Sequence, residues 1–133
     1  MLLEFYLPFP PTINNYYVKT QRGVFISSKG KKFRQDCINE LYEQIGDRQA
    51  SGDHLLVEVI LFPPDLRKRD LDNYMKPLLD AITHSKLIWD DDVLIDQLFI
   101  YRGKTQNKGN KKGCTFVSVQ PSGPIIPVGG SIP

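Results

Sequence analysis

The chain has 133 residues, the size of one domain with a single core. With 41% hydrophobic and 24% charged residues, and no apolar run near the length of a bilayer, it is expected to be globular with no membrane partner. A net charge of +2 excludes little by itself, and the N-terminus lacks the pattern of a signal peptide, so the cytoplasm is the expected location.

Leu2 to Leu7 reads as a first strand. Pro8-Phe9-Pro10-Pro11-Thr12 ends it, because proline donates nothing to a ladder. Asn14 and Asn15 favour a turn. Tyr16 and Tyr17 suit either packing or stacking on bases and sugars. Tyr16 to Ser27 reads as a hairpin with its tip at Gln21-Arg22-Gly23. Ser27 or Ser28 is a candidate N-cap for a helix of about fifteen residues, ended by Gly46. Phe33, Cys37, Ile38, Leu41 and Ile45 recur at helical spacing and form its apolar face. Lys29, Lys31, Lys32 and Arg34 crowd its first turns, the unfavourable end of the helix dipole for cations. That placement points to an anionic ligand.

His54 to Phe62 is the strongest strand and belongs in the middle of the sheet. His54 belongs to no catalytic pattern and reads as structural. Pro63-Pro64 ends the strand, and Asp65 to Arg69 form a basic loop. Leu71, Met75, Leu78, Leu79 and Ile82 mark a second helix over Asp72 to Ser85, with its regular part starting near Lys76 because of Pro77. Val93 to Tyr101 and Cys114 to Gln120 are the last strands, joined by a glycine- and lysine-rich loop. Pro121 to Pro133 holds four prolines, three glycines and no charge, and is expected to be irregular or an arm on a partner. Cys37 and Cys114 lie in no metal pattern and are expected as free thiols. The order predicts an α+β fold: a single domain over residues 1–120, one mixed β-sheet packed against two helices, with a 121–133 tail.

The charge is segregated. No acid lies between Phe5 and Gln35 or between Tyr101 and Cys114, while eight of the fifteen acids fall between Asp65 and Asp96. A basic surface around an acidic pocket is what a metal-dependent nuclease needs. Arg67-Lys68-Arg69-Asp70-Leu71-Asp72-Asn73-Tyr74-Met75-Lys76 and Asp90-Asp91-Asp92 concentrate the chemistry. Hard carboxylate oxygens suit Mg²⁺ or Mn²⁺, and lysine and arginine suit a phosphate. Asp70 and Asp72 can share a metal if Asp70 precedes the helix and Asp72 begins it. Asp72, Lys76 and Asp80 then share one stripe, with Asp80 orienting Lys76 or pairing with it. The aspartate triplet supplies a third carboxylate if its strand packs beside the one ending at Phe62. Taken singly, an Asp at a helix start is also a common cap, and an Asp run a common turn.

The run Arg69-Asp70-Leu71-Asp72-Asn73, with Lys76, Asp80-Ala81, Trp89-Asp90-Asp91 and Asp96, resembles the RusA family of endonucleases, which resolve four-way (Holliday) DNA junctions and are often encoded by prophages. Leu7-Pro8-Phe9-Pro10-Pro11, Asn14-Asn15, Tyr16-Tyr17 and Ser28-Lys29-Gly30 are similar to that family's start, and the resemblance spans about residues 3 to 120. It implies a RusA-like homodimer that uses Mg²⁺ to nick two opposing strands in recombination and repair. It implies Asp70, Asp72, Lys76 and Asp91 as the catalytic set, with metal on Asp70, Asp72 and Asp91 and Asp90 as accessory. The DNA-contacting residues are then expected to be Asn14, Asn15, Tyr17, Lys19, Arg22, Lys29, Lys31, Lys32, Arg67, Lys68 and Arg69. Asp92, a third consecutive acid, and the tail depart from the family pattern. No serine, cysteine or histidine arrangement suggests a covalent intermediate, so water is the expected nucleophile. Two other readings are a Mg²⁺-dependent nucleotide phosphohydrolase, which would need no such basic segments, and a branched-DNA-binding protein without cleavage.

Overall fold

Burial alternates along three strands of the main sheet, and that alternation marks which face of the sheet is covered. The structure, a computed structural model, describes residues 2–108 and 111–129. In chain order it contains β1 (Leu3–Leu7), the one-turn α1 (Ile13–Tyr16), β2 (Tyr17–Thr20), β3 (Gly23–Ile26), α2 (Ser28–Ile45) and β4 (Leu55–Phe62). There follow α3 (Met75–Ser85), β5 (Ile95–Arg102), the two-residue strands β6 (Asn107–Lys108) and β7 (Lys111–Lys112), and β8 (Cys114–Pro121). The main sheet has the order β1-β8-β4-β5. Its first two pairings are antiparallel, and β4 and β5 are parallel, so the sheet is mixed. The parallel pair requires a crossover, and α3 provides it.

Leu55, Val57, Val59 and Leu61 of β4 are buried while the residues between them are only partly so. With Phe5 and Leu7 of β1 and Val117 and Val119 of β8, they meet Phe33, Cys37 and Leu41 of α2 and Met75, Leu78, Ala81 and Ile82 of α3 in one core. Burying a side chain of that size is worth about 1.5–3 kcal/mol. Trp89 is completely buried beside them, and its Nε1 donates to Thr83 Oγ1 at 2.6 Å. Among the described residues, no helix packs on the opposite sheet face. There Tyr6, Phe116, Ile60 and Tyr101 stand in register across all four strands.

Local signals set the boundaries. Ser27 caps α2 by accepting from the Gly30 amide at 3.0 Å, and Gly46 ends it at φ 68°. The helix runs for 18 residues, longer than its periodicity predicts. Pro77 sits in the first turn of α3, where a missing N–H breaks no intrahelical bond. Asn14 and Asn15 lie in a one-turn helix rather than the expected turn, since the amides of Asn15 and Tyr16 both bond to Thr12 O. β5 begins at Ile95 rather than Val93 because Asp92–Leu94 form a 3₁₀ turn. Cys37 and Cys114 are not disulfide-bonded. His54 Nδ1 lies 2.7 Å from Asp96 Oδ2, joining the starts of the two parallel strands. Ser122 of the tail bonds its amide to His54 O at 2.9 Å, and Gln97 Nε2 donates to Ser122 Oγ at 2.7 Å. Beyond β8 the tail is irregular as far as Gly129, as its prolines predict, and its last four residues lie outside the described ones. Among the described residues no helix is long and apolar enough to cross a membrane.

Candidate active site

After Pro63-Pro64 the chain wraps around Asp65. Its carboxylate accepts from the Arg67 amide at 3.0 Å and pairs with Arg69 Nη1 at 2.8 Å. Hydrogen bonds from Arg69 and then Arg67 hold the Asp65 carboxyl well below the usual carboxylate range. The Arg69 side chain is only 9% exposed and lies over the Phe9 ring. Arg102 Nη2 donates to Arg69 O at 2.9 Å, which fastens the loop to the end of β5. The loop therefore enters the motif in a fixed position.

Asp70 is extended, at φ −85° and ψ 125°, and Leu71–Tyr74 then form a 3₁₀ turn that carries Asp72. The predicted break between the two acids is present. Both are exposed, and neither carboxylate has a hydrogen bond or ion pair among the described residues. Lys76 is the second residue of α3, also exposed and outside any salt bridge among the described residues. It lines a concavity of about 780 Å³ together with Ile13, Asn14, Tyr17, Lys19 and Val24. Three residues expected to touch DNA thus share one hollow with the expected catalytic lysine.

Asp80 does not pair with Lys76, contrary to the expectation from the helical stripe. Its Oδ2 accepts from Arg34 Nη2 at 2.7 Å and from the Tyr16 hydroxyl, and Arg34 Nε donates to that hydroxyl at 2.7 Å. Burial opposes ionisation of Asp80, but these bonds outweigh it and keep its carboxyl below the ordinary range. Burial and then the Asp80 hydrogen bond push the Tyr16 hydroxyl well above a normal phenol. Arg34 and Tyr16 are the residues that the sequence reading misses in this role.

The aspartate triplet precedes β5. Ser51 positions it, since its amide bonds to Ile88 O at 3.0 Å and its carbonyl accepts from the Asp90 amide at 3.1 Å. Asp90 is exposed. Asp91 Oδ1 caps the 3₁₀ turn by accepting from the Val93 amide at 3.0 Å. Partial burial, then the hydrogen bond and charge of Asp91, raise the Asp92 carboxyl, while Lys76 pulls it down. Among the described residues of one chain, no three Asp, Glu, His or Cys side chains gather as a metal-holding group. Asp70 and Asp72 share one turn, and Asp91 does not join them in such a group.

Of the other expected DNA contacts, Asn14, Asn15, Lys19, Arg22, Lys29 and Lys31 are exposed. Tyr17 is half-buried with its ring edge-on to Tyr16. Lys32 is exposed but pairs with Asp36 at 2.8 Å. Arg67 is exposed and paired with Asp65, Lys68 is exposed, and Arg69 is turned into the loop.

The family model described as Endodeoxyribonuclease RusA matches residues 8–119. The chain belongs to the RusA family. It is 36% identical over 100 residues to the crossover junction endodeoxyribonuclease rusA of Enterobacteria phage HK97, covering 75% of this chain and 82% of that protein. The crossover junction endodeoxyribonuclease RusA of Escherichia coli O139:H28 is 26% identical over 113 residues, covering 85% and 92% of the two chains. The Shigella sonnei RusA of the same description is 30% identical over 90 residues, covering 68% and 74%. The RusA match contains the whole site, from the proline-rich start to β8.

Proposed function

We propose that this RusA-family protein is a Mg²⁺-dependent endonuclease, with Mn²⁺ able to substitute. It resolves four-way DNA junctions by paired symmetric nicks, working as a cytoplasmic homodimer. The observation that carries this reading is that, among the described residues, the Asp70 and Asp72 carboxylates have no partner and Lys76, one turn on, is in no salt bridge, all within the matched segment.

Oxygen donors without protein partners fit a hard divalent cation. Mg²⁺ is commonly held by one or two carboxylates plus substrate phosphate and keeps several waters, so it does not need three carboxylates from one chain. When bound, it polarises a phosphate and lowers the pKa of a coordinated water. Asp70 and Asp72 would hold it, and Asp91 and Asp90 would be the further acids of the set. Lys76 stabilises negative charge developing on the phosphate oxygens. Asn14, Tyr17 and Lys19 hold the strand in the hollow beside Lys76, and Lys29, Lys31, Lys32, Arg67, Lys68 and Arg69 supply positive potential around it.

The homodimer is supported by the uncovered sheet face. Tyr6 and Tyr101 on that face are 52% and 47% exposed, and Phe99 is 43% exposed. An aromatic surface of that kind suits a two-fold contact. Two sites on a two-fold dimer match a junction that must be cut twice, because the second site is at high local concentration once the first is engaged.

The deciding experiment incubates the protein with a labelled four-way junction, a linear duplex and nucleoside triphosphates, with and without Mg²⁺. Metal-dependent paired nicks in the junction are expected. Hydrolysis of triphosphates alone would replace the reading with a nucleotide phosphohydrolase, and binding without nicks with a branched-DNA-binding protein.

A further inference from the structure

We infer that Arg34, braced by Tyr16, holds the Asp80 carboxylate and thereby leaves Lys76 free for the substrate phosphate. The inference rests on the reading of Lys76 given above.

Lys76 and Asp80 are one turn apart on α3, the spacing at which lysine and aspartate pair on a helix surface. Yet Asp80 takes its ion pair from Arg34, 46 residues away in sequence, at 2.7 Å. The competition favours arginine for a geometric reason. Arg34 spends Nε on the Tyr16 hydroxyl at 2.7 Å and Nη2 on Asp80, so its fork is oriented before it meets the carboxylate. Lysine offers a point charge on a flexible stem.

The brace is rigid. Tyr16 is completely buried, and its carbonyl accepts from the Ser27 amide at 2.9 Å. The ring also lies under the Arg34 guanidinium, 5.6 Å from its carbon. Asp80 therefore faces a cation held by two hydrogen bonds and a ring contact. Its charge still reaches Lys76, and Asp92 stands within the same electrostatic range. Remove Arg34, and Asp80 keeps a half-buried negative charge whose nearest remaining cation on the same helix is Lys76. The pair forms, and the lysine is withdrawn from the phosphate. Arg34 is thus a positioning residue, and the loss should appear in turnover more than in DNA affinity.

The test measures kcat and KM on a labelled four-way junction at saturating Mg²⁺ for the parent, Arg34→Met, Arg34→Lys, Arg34→Met with Asp80→Asn, and Lys76→Ala. Arg34→Met should lower kcat about tenfold with KM changed less than about threefold. Arg34→Lys should restore most of the rate, because it keeps a cation on Asp80. The double variant should also recover it, since the neutral amide that replaces the Asp80 carboxylate has no charge with which to capture Lys76. An Arg34→Met kcat within about twofold of the parent would overturn the inference, as would a double variant as slow as the single. If Arg34→Met does not fold, the double variant decides alone: near-parent turnover supports the inference and slow turnover ends it. An active Lys76→Ala enzyme would instead remove the reading of Lys76. An inactive Lys76→Ala beside an unaffected Arg34→Met would remove only the role of Arg34.

Discussion

The Arg34 guanidinium donates to the Asp80 carboxylate at 2.7 Å and ties α2 to α3. Hydrogen bonds from Tyr16 and Arg34 overcome the burial of Asp80 and depress its pKa in the folded protein. A depressed carboxylate adds stability above its unfolded value, about 3.9, and loses it as pH falls through the folded value. Asp80→Asn should therefore lower Tm near neutrality, and the gap to the parent should close below about pH 4. Thermal melts from neutrality down to about pH 2 check this. A gap independent of pH would show that Asp80 gains nothing from being charged.

Asp70→Asn and Asp72→Asn should each lower junction nicking by about a hundredfold or more. Junction binding without metal should be unchanged or tighter, because each change removes a negative charge near DNA. Single-turnover cleavage paired with gel shifts separates the two effects. Full nicking by either variant would exclude that acid from the site.

Replacing Lys29, Lys31 and Lys32 with alanine should weaken binding to junction and duplex alike. Lys32 already pairs with Asp36. The salt dependence should therefore drop by about two phosphate contacts rather than three, read as the slope of log affinity against log salt. An unchanged slope would mean that this end of α2 is only solvated.

Gly30 sits in the first turn of α2 against the N-terminal segment. A Cβ there would stand 2.5 Å from Tyr16 O and 2.7 Å from Ile26 Cγ2. Gly30→Ala should destabilise the fold by about 1–3 kcal/mol despite alanine's better helix propensity. Urea unfolding measures it, and a stabilised variant would show that the two segments separate easily.

Light scattering at micromolar concentration should give a dimer mass. Phe99→Lys combined with Tyr101→Lys should give a folded monomer, since both residues point to the uncovered face. A monomeric parent would count against the dimer, and a dimeric double variant would move the contact off that face.

Much of the fold is legible because its signals are local. Ser27, Gly46 and Pro77 act within one turn of where they stand, and the apolar spacing of α2 and α3 names most of their buried residues. The inner position of β4 is legible from its near-continuous apolar run, and its alternating burial follows from the period-two geometry of a strand. Asn14-Asn15 is harder, because a turn and a one-turn helix share the same first hydrogen bond and the same preferred residues. Within the site, the break between Asp70 and Asp72 is legible from spacing. The Arg34–Asp80 pair is not, because Arg34 stands in a basic run with Lys29, Lys31 and Lys32, and only the packing of α2 on α3 separates its task from theirs. Arg69 poses the same difficulty, since nothing in Arg67-Lys68-Arg69 tells which cation turns inward.

The position of β8 between β1 and β4 sets the order in which the molecule can assemble during synthesis. Both of those strands leave the ribosome before the segment that joins them exists. Until Cys114–Pro121 is made, β1 has no strand to pair with, since Leu3 is in register with Val119 and Leu7 with Thr115. β4 likewise presents an open backbone edge on one side, the kind of edge that invites wrong partners. A half-made chain therefore exposes the backbone edges of β1 and β4 that the finished sheet closes, and the sheet becomes one continuous surface only when β8 is inserted between them.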